Sequence, residues 1–348
     1  MRILVTGNLG YIGSVLTGLL SKRGYEVVGY DVDYYHGCEF GDLPKPAAQI
    51  EKDIRDVTPS DLSGIDAIIH LAALSNDPLG EFDPAITQDI NYKATINLAN
   101  LAKNAGVKRF VYASSQSMYG VSNTDEELDE DNSEKNPVTA YARTKWEVEC
   151  ELKKLNSPEF AIVCFRPSTV FGTSPKLRCD IVYNNLVGCA FTTGKIEIKS
   201  DGSPWRPVVH IKDVCGAFMA GLEAPTQLVG GQSFNVGIRG GNYTVRDLAM
   251  AAQKAVPGSS LVFTGEHGQD ARTYKVSFKK ILTVLADYYK PRWDLIKGGQ
   301  ELVSFFKTAG FNEEMFRGRS CNRLAQIKYL IKKDRLDNNF FWKKHADN

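Results

Sequence analysis

The chain has 348 residues, 43% of them hydrophobic and 24% charged, with a formal net charge of +1. That length suits one large two-lobed domain or two modest ones, and near-neutrality argues against nucleic acid as the main partner. No apolar run approaches the roughly 20 residues of a membrane span, so no membrane role is expected. The N-terminus runs straight into Arg2-Ile-Leu-Val-Thr6, which leaves no room for a signal peptide. Seven cysteines (Cys38, Cys150, Cys164, Cys179, Cys189, Cys215 and Cys321) are scattered, odd in number and without a C-x-x-C pair. Reduced thiols in a cytoplasmic protein fit that pattern better than disulfides or a zinc site.

In chain order, apolar runs that read as buried parallel strands lie at Ile3–Val5, Val27–Tyr30, Ala67–Leu71, Phe110–Ala113 and Ala161–Phe165. Helical patterns separate them at Tyr11–Arg23, Ala85–Ala105 and Thr139–Leu155, with Gly24 and Gly106 where helix C-terminal glycines belong. This alternation predicts an α/β fold built on a doubly wound, Rossmann-type parallel sheet. After Phe171 the elements shorten and glycine and proline increase. A smaller, discontinuous C-terminal lobe is therefore expected, with 1–170 and 207–230 in the first domain and 171–206 and 231–348 in the second. Trp205-Arg-Pro-Val-Val-His-Ile211 is read as the strand that returns to the first sheet. The acidic run Asp125–Asp131 reads as a solvated loop, since it offers no ordered ligand spacing and no metal site is expected. The last 34 residues are basic, and Leu324, Ile327 and Ile331 form a stripe that predicts a solvated helix docked on the body.

Thr6-Gly-Asn-Leu-Gly-Tyr-Ile-Gly13 follows the first strand and opens the first helix. Glycines at 7, 10 and 13 let the backbone turn tightly and approach a pyrophosphate, whose charge rests on the helix N-terminus. Leu9, Tyr11 and Ile12 complete the loop. Asp31 stands 21 residues after Gly10, at the end of the second strand. A carboxylate there accepts from both ribose hydroxyls and repels a 2′-phosphate, which selects NAD over NADP. Asp53 and Ile54 are placed to hold the adenine edge, and Leu71, Ala72 and Ala73 let a dinucleotide lie against the backbone.

Tyr141-Ala-Arg-Thr-Lys145 puts a phenol and an ammonium on one face of a helix. A phenol ionises near pH ~10, and a neighbouring lysine together with an oxidised nicotinamide favours the phenolate. Glycine loop and tyrosine–lysine pair together point to hydride chemistry.

These motifs resemble the extended short-chain dehydrogenase/reductases, in their nucleotide-sugar epimerase/dehydratase branch. The resemblance rests on the glycine loop, Asp31, Asp53, His70-Leu-Ala-Ala73, Asn91, Ser114-Ser115, Tyr141-x-x-x-Lys145 and Arg166-Pro-Ser168. It continues through Asp201-Gly202, Trp205-Arg206, Val209-His210 and Phe234-Asn-Val-Gly237. It implies Tyr141 as catalytic base and acid, with Lys145 lowering its pKa and holding the nicotinamide ribose. Ser115 is implied as the hydroxyl on the sugar oxygen, with Ser114 and Ser117 close by. Ser114, Pro167 and Ser168 are expected beside the cofactor, Asn91 as a packing amide and His210 as a structural residue.

The implied partner is a nucleotide-diphosphate sugar. Asn184 or Asn185, Arg206 and Arg272 are candidates for its diphosphate, since a guanidinium fork binds phosphate oxygens in pairs. Ser75, Asn76 and Ser168 are candidates for loose contacts to the sugar, and Lys176, Arg178 and Lys199 lie in loops open to base or sugar. Dehydratases and decarboxylases of this family carry acids just after the active-site hydroxyl. Here Gln116 and Ser117 stand there, which leaves epimerisation or carbonyl reduction. The resemblance also implies a homodimer packed through Ala85–Ala105 and Thr139–Leu155.

Overall fold

The computed structural model describes residues 1–122, 125–198, 200–263 and 273–343. Seven strands form its large sheet: β1 (Arg2–Thr6), β2 (Glu26–Asp31), β3 (Ala48–Glu51), β4 (Ala67–His70), β5 (Arg109–Ala113), β6 (Ala161–Pro167) and β7 (Gln232–Val236). Their spatial order is β7-β6-β5-β4-β1-β2-β3, and every pairing is parallel. The order reverses between β1 and β4, which opens a crevice at the strand carboxyl ends where such sheets bind ligands. Ile3, Leu4 and Val5, like Ile162, Val163, Cys164 and Phe165, are buried, as strands covered on both faces require.

Helices Tyr11–Lys22 and Ile211–Glu223 cover one face, with Leu16, Leu20, Val214 and Phe218 in a shared core. Helices Ala94–Asn104 and Ala140–Leu155 cover the other through Leu98, Ala102, Val148 and Leu152. A third core, including Tyr183, Leu186, Leu248, Leu302 and Phe306, belongs to the smaller lobe.

Two sequence expectations change and one is refined. The strand at Trp205–His210 does not enter the large sheet; it pairs with Thr169–Phe171 and Asn242–Thr244 in a separate three-stranded sheet. The returning strand is β7, past the 207–230 segment assigned to the first domain, because Phe234 and Val236 carry the apolar surface that fits beside β6. The helix expected over Ala85–Ala105 does run on without a break, from Pro84 to Asn104, but carries a π-helical stretch at Gln88–Lys93. Within the π stretch, Asn91 accepts from Leu74 N at 2.8 Å and donates back to Leu74 O at 3.2 Å, so it is a packing amide that fixes a cavity wall. Finally, Glu130 in the acidic run is buried and accepts from Asn235 N at 2.7 Å, closing a backbone donor of β7.

The basic C-terminal region docks, but not as a solvated helix of the smaller lobe. In helix Arg323–Lys332 the buried residues are Arg323, Gln326, Ile327 and Leu330, and with Leu336 and Phe340 its apolar members join the core beneath the large sheet. No helix among the described residues is long and apolar enough to cross a membrane.

Candidate active site

A cavity of about 520 Å³ lies at the carboxyl ends of the strands, within the range of small-molecule sites. The glycine loop forms one end. A Cβ at Gly7 would sit 2.7 Å from Ala72 N, and Gly7 has φ +72°, so only glycine allows this approach between loop and β4. Helix Tyr11–Lys22 begins without a side-chain cap, which leaves its first N–H groups and positive dipole end to a ligand. This arrangement fits a dinucleotide diphosphate.

Asp31 lies at the cavity wall, where Leu9 N and Asp33 N donate to its carboxylate at 2.9 Å each. Burial pushes its pKa up to about 6, and those two donors only partly offset it. Leu9 itself does not line the cavity; its backbone orients Asp31. Asp53 also lines the cavity, but its oxygens are occupied: Arg55 N, Nε and Nη2 donate to it at 2.9, 2.9 and 2.7 Å, and Tyr34 OH lies at 3.3 Å. The expected adenine acceptor thus lines the cavity and at the same time anchors Arg55. Arg55 in turn donates to Asn339 O and stacks on Phe341, while Tyr34 donates to Phe340 O at 2.6 Å and Trp342 Nε1 to Val32 O at 2.7 Å. The C-terminal segment thus packs behind the Asp53 end and braces Tyr34 and Arg55.

At the other end, Thr139 caps helix Ala140–Leu155, accepting from Ala142 N at 3.1 Å. Tyr141 and Lys145 project from one face of it into the cavity. Gly80 lies against Tyr141, where a Cβ would come within 2.8 Å of the tyrosine Cβ. Ser115 caps the turn Gln116–Tyr119, and its hydroxyl acts on the Tyr141 phenol to lower its pKa. Ser114 turns away to donate to buried Glu149 at 2.8 Å, so Ser115 and its neighbour Ser117, 3.1 Å apart, are the hydroxyls left beside the tyrosine. Glu149 also binds Arg166 through contacts at 2.5 and 3.1 Å and Ser233 at 2.6 Å. Burial opposes its ionisation, but Arg166 holds its pKa down at about 2.

The tyrosine–lysine pair differs electrically from the sequence expectation. Burial pushes Tyr141 up to about 12 despite the Ser115 hydroxyl, and burial brings Lys145 down to about 7. Lys145 Nζ donates to Ala113 O at 2.6 Å and lies 5.9 Å from the Tyr141 ring centre. Lys145 is not among the groups that lower the Tyr141 pKa here, which leaves the positively charged nicotinamide of the sequence expectation as the source of a lower one.

Gly10, Tyr11, Ile12, Gly13, Ile54, Leu71, Ala72, Ala73, Ser75, Asn76, Ser114, Pro167, Ser168 and Arg206 all line the same cavity. Asn184 and Asn185 do not. Asn184 accepts from Gly172 N and donates to Arg178 O, and Asn185 donates to Cys179 O, so both brace the loop before their helix. Arg272 and Lys199 lie outside the described residues. His210 packs on Trp293 and bonds Glu301 at 2.9 Å, as a structural residue would.

The cavity also contains residues that sequence reasoning did not select, among them Tyr35, Asp77, Asp180, Tyr274 and Arg323. Arg323 was legible in principle, since it shares the i, i+4, i+7 face with Ile327 and Leu330. Among the described residues, Asp33, His36 and Glu39 form one cluster of metal-ligand type. Lys176 Nζ already binds two of its carboxylates, at 3.3 and 2.5 Å, and so takes the place of a cation.

Fold and cavity together define a doubly wound α/β protein built around a dinucleotide. Residues 3–237 match the NAD dependent epimerase/dehydratase family, and the chain belongs to that family. Its cofactor is NAD. A UDP-glucose 4-epimerase of Mycolicibacterium smegmatis is 29% identical over 327 residues, 88% of this chain and 99% of that one. UDP-glucuronic acid decarboxylase 1 of Arabidopsis thaliana is 26% identical over 328 residues, 91% of this chain and 72% of that one. The solved structure of MoeE5 in complex with UDP-glucose and NAD is 26% identical with a TM-score of 0.75, covering 89% of this chain and 99% of that one.

Proposed function

We propose that the protein is an NAD-dependent nucleotide-sugar 4-epimerase that works through a transient 4-keto sugar. The observation that carries this reading is the Ser115–Tyr141–Lys145 constellation on the cavity wall, followed by an amide and a hydroxyl at Gln116 and Ser117. Gln116 Nε2 is bound to Arg166 O at 3.0 Å, and neither side chain can serve as the acid or base of an elimination. Asp77 is the cavity carboxylate felt by Tyr141, and its Oδ1 accepts from the Thr139 hydroxyl at 2.5 Å, at the head of the tyrosine's own helix.

NAD, when bound, supplies the hydride acceptor and donor for the sugar carbon and places a positive ring near the phenol. Asp31 would hold its adenine ribose, the N-terminus of helix Tyr11–Lys22 its diphosphate, and Lys145 its nicotinamide ribose. Tyr141 takes the proton from the C4 hydroxyl and returns it, while Ser115 steadies that oxygen. Arg206 is the described candidate for the sugar nucleotide's diphosphate.

The test is to give purified protein UDP-sugars first, as in the relatives' names, then GDP- and dTDP-sugars, with no added cofactor. C4-epimerised product is expected without net oxidation. Strict dependence on added NADH, with oxidised cofactor as product, would instead mark a 4-keto sugar reductase.

A further inference from the structure

Two arginines line the cavity. Arg178 comes from the loop after Phe171, and Arg323 from the first turn of helix Arg323–Lys332, beyond the family-matched residues 3–237. Cys179 N donates to Cys321 O at 2.9 Å and Arg323 N to Asp180 Oδ2 at 3.2 Å, which fastens the two segments side by side. Arg178 is fully engaged: Nε and Nη2 grip Asp180 at 2.8 and 3.1 Å, and Nη1 reaches Ser75. Arg323 is not. It is 2% exposed, stacks 4.0 Å over the Tyr35 ring and donates from Nη2 to Lys176 O at 2.8 Å, but its buried Nη1 has no partner.

Asp180 grips the Arg178 guanidinium and Lys176 is spent on Asp33 and Glu39, so among the described residues Asp180 acts on Arg323 electrostatically but no carboxylate forms an ion pair with its guanidinium. A buried guanidinium with a free N–H is costly unless an anion completes it. The position of this pair indicates which anion. Arg323 stacks on Tyr35, four residues beyond Asp31, while Arg178 reaches Ser75 and its carbonyl shares the Asn184 amide with the hydroxyl of Tyr11 at the head of the glycine-loop helix. The arginines therefore line the cavity beside the Asp31 segment and the start of that helix, where the diphosphate of a bound dinucleotide rests.

We propose that Arg323 is a cofactor-binding residue, contributed by the C-terminal helix, whose free Nη1 binds the diphosphate of NAD beside Arg178. The family's glycine loop then supplies only part of the diphosphate site, and residues outside the family-matched region supply the rest. This inference rests on NAD as the cofactor and not on the epimerase reading, so either can fail alone.

The experiment is calorimetric titration of nucleotide-stripped Arg323→Met and Arg323→Lys with NAD, ADP, adenosine and UDP. Loss of a charge-assisted hydrogen bond predicts that NAD and ADP weaken between about tenfold and about a hundredfold in Arg323→Met. Arg323→Lys, which keeps the charge without the fork, should fall between it and the parent. Adenosine, which lacks phosphates, and UDP should stay within about twofold. If Arg323→Met does not fold, Arg323→Lys carries the measurement alone. NAD affinity within twofold of the parent in the folded variants would overturn the proposal. So would an equal loss for adenosine, which would mean that Arg323 only props Tyr35, or a loss confined to UDP, which would assign it to the substrate's diphosphate.

Discussion

The two ends of the cavity are built differently. The Tyr141 end comes from short, contiguous pieces: Ser114–Ser117 after β5, one turn of helix at Tyr141–Lys145, and Pro167–Ser168 at the end of β6. The adenosine end is assembled from distant segments, since Tyr34 bonds a carbonyl 306 residues later and Arg55 one 284 residues later. The first end carries chemistry, which demands particular side chains at fixed spacing. The second end carries affinity, which many packings can supply. Changes at the tyrosine end should therefore alter turnover with little effect on NAD binding, and changes at the other end the reverse.

The largest expected effect is that of Tyr141→Phe. Removing the proton carrier should lower kcat by about 10²–10⁴-fold while the Kd for NAD stays within a few-fold. Steady-state rates beside cofactor titrations check this, and a matching loss of NAD affinity would dissolve the contrast between the ends.

A second variant probes the foundation under the tyrosine end. Glu149 and Arg166 are both fully buried, and Glu149→Gln leaves the guanidinium without its counter-charge. We expect a cost of about 3–5 kcal/mol in urea unfolding. Because the folded pKa of Glu149 is held down at about 2, its stabilising contribution is complete above the ordinary glutamate value near ~4.3. That contribution should fade as pH drops from there toward 2 in the parent, and the variant should lack this component.

The smallest effect sharpens the adenosine end. Asp31 has a pKa raised to about 6, and its ionised form accepts from ribose hydroxyls. NAD affinity should therefore fall as pH drops through 6, by roughly tenfold for each unit until the bound-state pKa is passed. Asp31→Asn should bind NAD more weakly at pH 7.5 and show a flat profile between pH 5 and 7.5. A parent profile that is already flat would remove Asp31 as the ribose contact.

The sequence exposed the tyrosine end almost completely, because a glycine loop, an i, i+4 pair and a cap residue are local signals. It misplaced the strand at Trp205–His210, since an apolar run states that a strand is buried but not which sheet receives it. It placed Asp53 at the cavity but did not announce that Arg55 would bind both of its oxygens. Asn184 and Asn185 looked like ligands for a similar reason: an amide offers itself equally to phosphate and to backbone, and here the backbone of 172–179 claims both. Arg323 was overlooked because a basic side chain on a docked helix is normally solvated; the stripe of Leu324, Ile327 and Ile331 does pack on the core, and the buried face extends past it to Arg323, Gln326 and Leu330.

The late position of the C-terminal segment also bears on synthesis. A ribosome finishes the glycine loop, Asp31 and Tyr141 when less than half of the chain exists, yet Tyr34 waits for Phe340 and Tyr35 for Arg323. The emerging polypeptide thus carries its glycine loop and its tyrosine–lysine pair early, and the contacts that brace Tyr34 and Tyr35 last.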